Sequence, residues 1–205
     1  MNIRRLHHLT AIGFAILVFS QSYLALEKVP EPAEQSSTSE PIEQRQPLPS
    51  PLRAPKILVR KSQRQLLLFS DNKLVRTYRI GLGLSPVGDK VRAGDRRTPE
   101  GDFYVFIKND KSAFYLSLGL SYPNTAHAER GLRDGLISRA QYEAIMRALR
   151  NRKGPPQDTR LGGLIYIHGN GARSDWTWGC VALENEDIRE LFNAVSIGTP
   201  VSIEP

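Results

Sequence analysis

Seven of the 14 prolines in this 205-residue chain fall between Pro30 and Pro55, and that clustering decides where a fold is possible. Proline fixes φ and removes a backbone donor, so neither a helix nor an inner strand runs through such a stretch. The same stretch is rich in Glu, Gln and Ser and has almost no apolar periodicity. It cannot bury enough surface to offset its ordering entropy. Residues 27–55 are therefore expected to be a Pro-rich disordered linker. The fold is confined to 56–205, a length sufficient for a real core.

Ahead of the linker, Arg4, Arg5, His7 and His8 precede the apolar run Leu9–Ser20, which continues less purely to Leu26. A basic start and an apolar centre describe an export signal. The run approaches the ~20 residues needed to span a bilayer, and bulky Tyr23 spoils a cut after Ala25. Residues 1–26 are thus read as a signal peptide or a signal anchor. Arg4 and Arg5 keep the start cytoplasmic and send the rest outward. The expected location is the periplasm or cell envelope, with membrane contact only through the N-terminal segment. No other run approaches spanning length, which excludes a polytopic membrane protein.

A hydrophobic share of 40% and a charged share of 24% exclude wholesale disorder. The formal net charge is +7. Five basic and five acidic side chains cancel within the first 55 residues, so the excess belongs to 56–205. An exported domain rarely meets nucleic acid, and none is expected as a partner. Anionic envelope polymers fit the charge better, and a solvated basic face with no partner fits it as well.

The pattern of 56–205 is mainly β with a few helices. Lys56–Arg60 is a short strand, and Gln65–Phe69 and Lys73–Ile80 flank Ser-Asp-Asn as a hairpin. Gly81-Leu-Gly-Leu-Ser-Pro-Val-Gly88 does not fit a dinucleotide fingerprint and is read as turn chemistry, followed by a polar loop to Gly101. Asp102–Ile107, Phe114–Leu118 and Leu164–His168 are further strands, and Thr199–Ile203 closes the domain. Ser138 to Gln141 fits a capping box opening one helix, ended by Gly154-Pro155-Pro156. A second helix begins near Asn185.

Cys180 is the only cysteine, which excludes an intrachain disulfide and a Cys-rich zinc site. In an exported chain a leftover thiol is either an intermolecular link or a reactive group. Free cysteine is mostly protonated at neutral pH and needs a base, and an imidazolium alongside would stabilise the thiolate. His7 and His8 sit in the signal and His127 in a polar loop, whereas His168 ends an apolar strand near Cys180. Gly179 lets the chain turn tightly, so the amides of Gly179 and Cys180 are candidates to hold an oxyanion. On spacing alone, an inert buried cysteine beside a core histidine fits equally well, because such pairs are recognised in space.

His168-Gly169, followed by Thr177-Trp178-Gly179-Cys180-Val181, resembles the signature of the L,D-transpeptidases, the YkuD-type catalytic domain. Gly94-Asp95, Thr98-Pro99-Glu100-Gly101 before a strand, Ser121-Tyr122-Pro123-Asn124 and Gly198-Thr199-Pro200-Val201 are similar to family segments in the same order. The resemblance implies a YkuD-like β-sandwich or barrel acting on peptidoglycan stem peptides, with no metal or organic cofactor. Carried over by position, Cys180 is the nucleophile, His168 the base, and the Gly169 carbonyl the group that orients the imidazole. An envelope protein is a further candidate acyl acceptor.

The chain departs from the family pattern at three points. Trp178 stands where His is frequent, Ala182 where Arg is common, and the spacer between His168 and Cys180 is short. Arg173 is a candidate replacement for the arginine, and Trp176 and Trp178 are candidates to line the substrate cleft. Each also reads as a solvated or packing residue. Three activities follow: a transferase that cross-links stem peptides or anchors proteins to the wall, a carboxypeptidase- or amidase-type hydrolase using the same thiol, and a non-catalytic wall-binding module. The last is disfavoured by the presence of both His168 and Cys180.

Overall fold

A computed structural model describes residues 45–205. The expected signal segment and the first part of the linker lie outside the described residues. In chain order the elements are β1 (Lys56–Arg60), β2 (Gln65–Ser70), β3 (Lys73–Arg79), β4 (Gly101–Ser112), β5 (Tyr115–Leu120), α1 (Thr125–Arg133), α2 (Arg139–Arg150), β6 (Tyr166–His168), β7 (Val181–Ala182), α3 (Asn185–Ala194) and β8 (Pro200–Glu204). Among the described residues no helix is long and apolar enough to cross a membrane.

The strands form one eight-stranded sheet in the order β3-β2-β1-β8-β4-β5-β6-β7. Pairing is parallel at β1–β8 and β6–β7 and antiparallel elsewhere. β4 is the corner. Its first residues, Gly101–Tyr104, pair with β8, and from Val105 onward it pairs with β5 through two register shifts. Such irregularities bend a strand and raise its twist. The sheet curls until the chain leaving β3 bridges to β7, Gly81 opposite Ala182 and Gly83 opposite Thr177. This curled, mainly β architecture is the fold class expected from the sequence.

Alternation places Ile57 and Val59 of β1 and Val201 and Ile203 of β8 in the core, with Leu66, Leu68, Val105, Leu118, Leu120 and Ile167. Helix α3 seals this core through Ile188 and Leu191. Its first turn carries Glu186 and Asp187, which suits the helix dipole. A smaller cluster joins Ala128 of α1, Ile137, Ile145 of α2 and Leu161. The capping box at Ser138 and Gln141 forms as the sequence predicts.

Beyond a longer β4 and the short added strand β7, three segments differ from the sequence reading. Residues 125–133, read as loop, are helix α1, capped by Asn124, whose side chain accepts from the His127 amide at 3.1 Å. Its apolar stripe is short, so periodicity alone did not reveal it. The strand expected from Leu164 begins at Tyr166. Leu164 has φ 56°, which interrupts extended pairing. Residues 45–55, expected within the linker, lie against the domain. Leu48 and Leu52 pack on the main core, Arg45 Nη1 meets Asp187 Oδ1 at 2.5 Å, and Arg76 Nη2 donates to the Gln46 carbonyl at 2.5 Å. Two leucines and a cation among prolines were enough to hold this strap.

Candidate active site

His168 ends β6, where antiparallel pairing sets it opposite Ser117 of β5 and parallel pairing sets it opposite Ala182 of β7. Cys180 lies two residues before Ala182, alongside Tyr166, which shares a face of β6 with His168. The thiol sits between two backbone groups of that neighbourhood. Cys180 Sγ donates to the Leu164 carbonyl at 3.4 Å and accepts from the Tyr166 amide at 3.4 Å. Among the described residues no hydrogen bond joins His168 to Cys180. Such contacts often tighten only when substrate is bound.

The imidazole of His168 is 2% exposed. Phe114 stacks on it with ring centroids 4.6 Å apart, and Trp176 meets it edge-on at 5.5 Å. Trp176 is itself tied down, its indole N–H donating to the Gly171 carbonyl at 3.0 Å. Nδ1 of His168 lies 2.7 Å from the Gly169 carbonyl. A carbonyl only accepts, so Nδ1 carries the proton and Nε2 keeps its lone pair. Burial pushes the His168 pKa below its ordinary value, partly offset by the Gly169 carbonyl. Burial pushes the Cys180 thiol up to about 11, against the pull of the Tyr166 amide and the Lys90 charge. The resting pair is therefore neutral thiol and neutral imidazole, not the ion pair the sequence suggested. Proton transfer has to accompany attack.

The turn carrying Cys180 is built by Thr177. Its Oγ1 donates to the Cys180 carbonyl at 2.8 Å and accepts from the Gly179 amide at 3.1 Å. The Gly179 amide, expected to face an oxyanion, is thus taken by a hydroxyl of its own turn. Gly179 has φ 127°, a conformation that side chains rarely adopt. Opposite the turn, Gly81 and Gly83 pass so close that a Cβ would strike the Ser174 and Arg96 carbonyls. The Leu84 amide donates to the Thr177 carbonyl at 3.0 Å, and both Trp176 and Thr177 donate to the Leu82 carbonyl at 3.1 Å. The glycines read as turn chemistry are instead the rail on which the cysteine turn rests. Glycines at the end of a strand pattern signal this kind of close backbone approach.

The candidate residues divide between two depressions. Cys180 and Trp178 line a cavity of about 410 Å³ with Lys90, Gly162, Leu164 and Asp158. Trp178 is 65% exposed, and the Arg96 guanidinium lies 4.9 Å over its ring. Arg173 and Trp176 line a second depression of about 670 Å³ with Phe114 and Glu184. Arg173 therefore does not share the cavity of Cys180. Ala182, where an arginine was noted as missing, is fully buried, and its amide and carbonyl are bound to Gly81 at 2.8 and 2.9 Å. Sequence reasoning passed over Lys90 and Thr177. Thr177 lay inside the quoted motif, whereas Lys90 carried no spacing signal.

Comparison with known proteins places the chain in a family. The family model of the YkuD L,D-transpeptidase catalytic domain matches residues 54–203. No curated relative matches the chain. Among solved structures, an L,D-transpeptidase from Xylanimonas cellulosilytica is 18% identical, with 78% of this chain and 64% of that one covered at a TM-score of 0.45. The helical cell shape determining protein Pgp2 from Campylobacter jejuni is 23% identical, with 73% and 47% covered at 0.48. Bd1075 of Bdellovibrio bacteriovorus is 23% identical, with 75% and 48% covered at 0.46. The chain spans less than two thirds of the length of each of these. With the family model covering the whole folded domain, the chain belongs to the L,D-transpeptidase family and carries its YkuD catalytic domain.

Proposed function

We propose that the domain is a cysteine-dependent acyltransferase of peptidoglycan stem peptides, with Cys180 as nucleophile and His168 as base. The observation that carries this reading is the 2.7 Å hydrogen bond from His168 Nδ1 to the Gly169 carbonyl, which leaves Nε2 of a buried, neutral imidazole as proton acceptor near the only thiol. Cys180 Sγ attacks the carbonyl of an L-centre bonded to a D-residue, and its proton passes to Nε2. The tetrahedral intermediate collapses, the C–N bond breaks, and the departing amine takes that proton from His168. The resulting thioester is resolved by an amine, from a second stem peptide or an envelope protein, whose proton again passes through His168. The domain works on the envelope side of the membrane, reached through the N-terminal segment.

One observation favours hydrolysis as the second reading. Trp178 lies out in solvent against Arg96 and leaves the thioester open to water. Incubation of the full chain with tetrapeptide muropeptides separates the readings. A cross-linked dimer supports transfer, a shortened tripeptide supports the hydrolase, and bound but unchanged substrate overturns both. Trp178→Ala should raise the ratio of hydrolysed to cross-linked product if the ring folds over the thioester during turnover.

A further inference from the structure

Lys90 lines the cavity into which Cys180 opens, yet belongs to a loop remote from it in sequence. Its side chain is only 3% exposed. A lysine serving the surface would extend its ammonium into water, and a buried charge requires partners. Lys90 Nζ donates to Asp95 Oδ1 at 2.7 Å and to the Arg92 carbonyl at 3.1 Å. Among the described residues these are its two acceptors, and an ammonium carries three donors.

The pairing with Asp95 does not consume the charge. Asp95 also accepts from the amides of Val91, Arg92 and Arg97 at 2.7, 3.0 and 3.1 Å. Asp95 does not line the cavity whereas Lys90 does, so it is the cation and not its carboxylate that faces the thiol's side. The lysine is also held from behind. Arg130 donates to the Lys90 carbonyl at 2.6 Å through Nη2 and to Asp89 Oδ2 at 2.9 Å through Nη1. Gly162, at φ 87°, lies alongside the stem, in van der Waals range of Lys90 Cε.

We propose that the buried ammonium of Lys90 is the cation that stabilises the Cys180 thiolate, a positioning role supplied from the β3–β4 connection. The proposal rests on the reading of Cys180 as the nucleophile. The ionisable groups around the thiol are Lys90 and Asp158 in the cavity, Tyr166 alongside and His168 at the end of the same strand. Asp158 is exposed to solvent, burial and the thiol both push the Tyr166 phenol up, and burial keeps the imidazole neutral. Lys90 is the buried cation among them.

The test follows iodoacetamide alkylation of Cys180 in the full chain across pH, read by intact mass, with melting temperatures recorded in parallel. Lys90→Met should raise the alkylation midpoint by about one pH unit, the lower end for loss of a nearby opposite charge. At neutral pH the rate should fall only about threefold, because a less acidic thiol is a better nucleophile. Lys90→Arg should restore the wild-type midpoint, and Asp95→Asn should lower it. Equal shifts in the Met and Arg variants, or an unmoved midpoint in Lys90→Met, overturn the proposal. If Lys90→Met does not fold, an unmoved midpoint in Asp95→Asn overturns it instead. A Lys90-dependent midpoint in a protein that forms no thioester with a tetrapeptide leaves this inference standing and removes the transferase reading.

Discussion

The guanidinium of Arg64 grips both carboxylate oxygens of Asp175, with Nε at 3.0 and 3.1 Å and Nη2 at 2.6 Å. Arg64 lies in the β1–β2 turn and Asp175 in the segment that leads to Cys180, so the pair ties the first hairpin to the cysteine turn. The Leu82 amide joins the same carboxylate at 2.9 Å. Breaking the pair should disturb catalysis more than stability. With Arg64 35% exposed, solvent screening limits its stability contribution to about 0.5–1 kcal/mol. Arg64→Met and Asp175→Asn should each lower the rate of Cys180 acylation several-fold, and the double variant should be no worse than the worse single one. Additive losses in this double-mutant cycle would show that the two side chains act separately.

With His168 as the base, its titration should set the acid side of the pH profile. Its pKa lies below the ordinary 6.5 because of burial. A protonated imidazole cannot accept the thiol proton, so acylation should fall as pH drops through that lowered value. With the thiol pushed up to about 11, the neutral resting pair persists from there into the alkaline range. His168→Ala should remove the acid limb and cost about 100-fold or more in acylation, the usual contribution of a general base. An acid limb that survives in His168→Ala would place the titrating group elsewhere.

Asp89 gives the fold an acid sensitivity. Burial alone would push its pKa up. The His127 ring at 3.0 Å, the Glu100 amide at 2.8 Å and Arg130 outweigh it and hold the carboxyl well below the usual range. A depressed folded pKa contributes stability above the unfolded value of 3.8 and loses it as pH falls below that value. Asp89→Asn should destabilise the domain at neutral pH by about 1.5–3 kcal/mol, the range for hydrogen bonds to a charged group. The variant should also show a shallower loss below pH 4. Parallel stability curves for the two proteins from pH 7 to pH 3 would contradict this account.

The strap formed by residues 45–55 should be measurable by truncation. Leu48 and Leu52 are partly buried against the core, and two half-buried leucines are worth about 2–3 kcal/mol together. A chain beginning at Lys56 should melt below one beginning at Arg45. Leu52→Ala in the longer chain should reproduce part of that loss. Identical melting temperatures for the two lengths would mean that the strap rests on the domain without supporting it.

Much of the scaffold was legible because burial and spacing agreed. The hairpin of Gln65–Phe69 and Lys73–Ile80, the capping box at Ser138 and the helix beginning near Asn185 each named an element that formed. Helix α1 was missed because Ala128 and Leu132 make too narrow a stripe, although Asn124 stood ready as its cap. The proximity of Cys180 to the strand ending in His168 was legible, because a lone cysteine followed that strand-end histidine closely in sequence. Lys90 was not, because a charge acting through a cavity leaves no periodic trace. Arg173 seemed close to Cys180 along the chain, but the turn between them sends the two side chains into different depressions.

The close passage of Gly81 and Gly83 against the cysteine turn has a consequence for protein engineering. Residues 168–182 are not a transplantable cassette. Moved into another β scaffold with the complete His-Gly to Gly-Cys motif, they would lose the Leu82 carbonyl and the Leu84 amide that hold Trp176 and Thr177 in place. They would also meet a Cβ wherever the recipient lacks glycine at the facing positions. A working graft has to carry the Gly-Leu-Gly-Leu rail with it, so this chemistry is not portable as one continuous piece of chain.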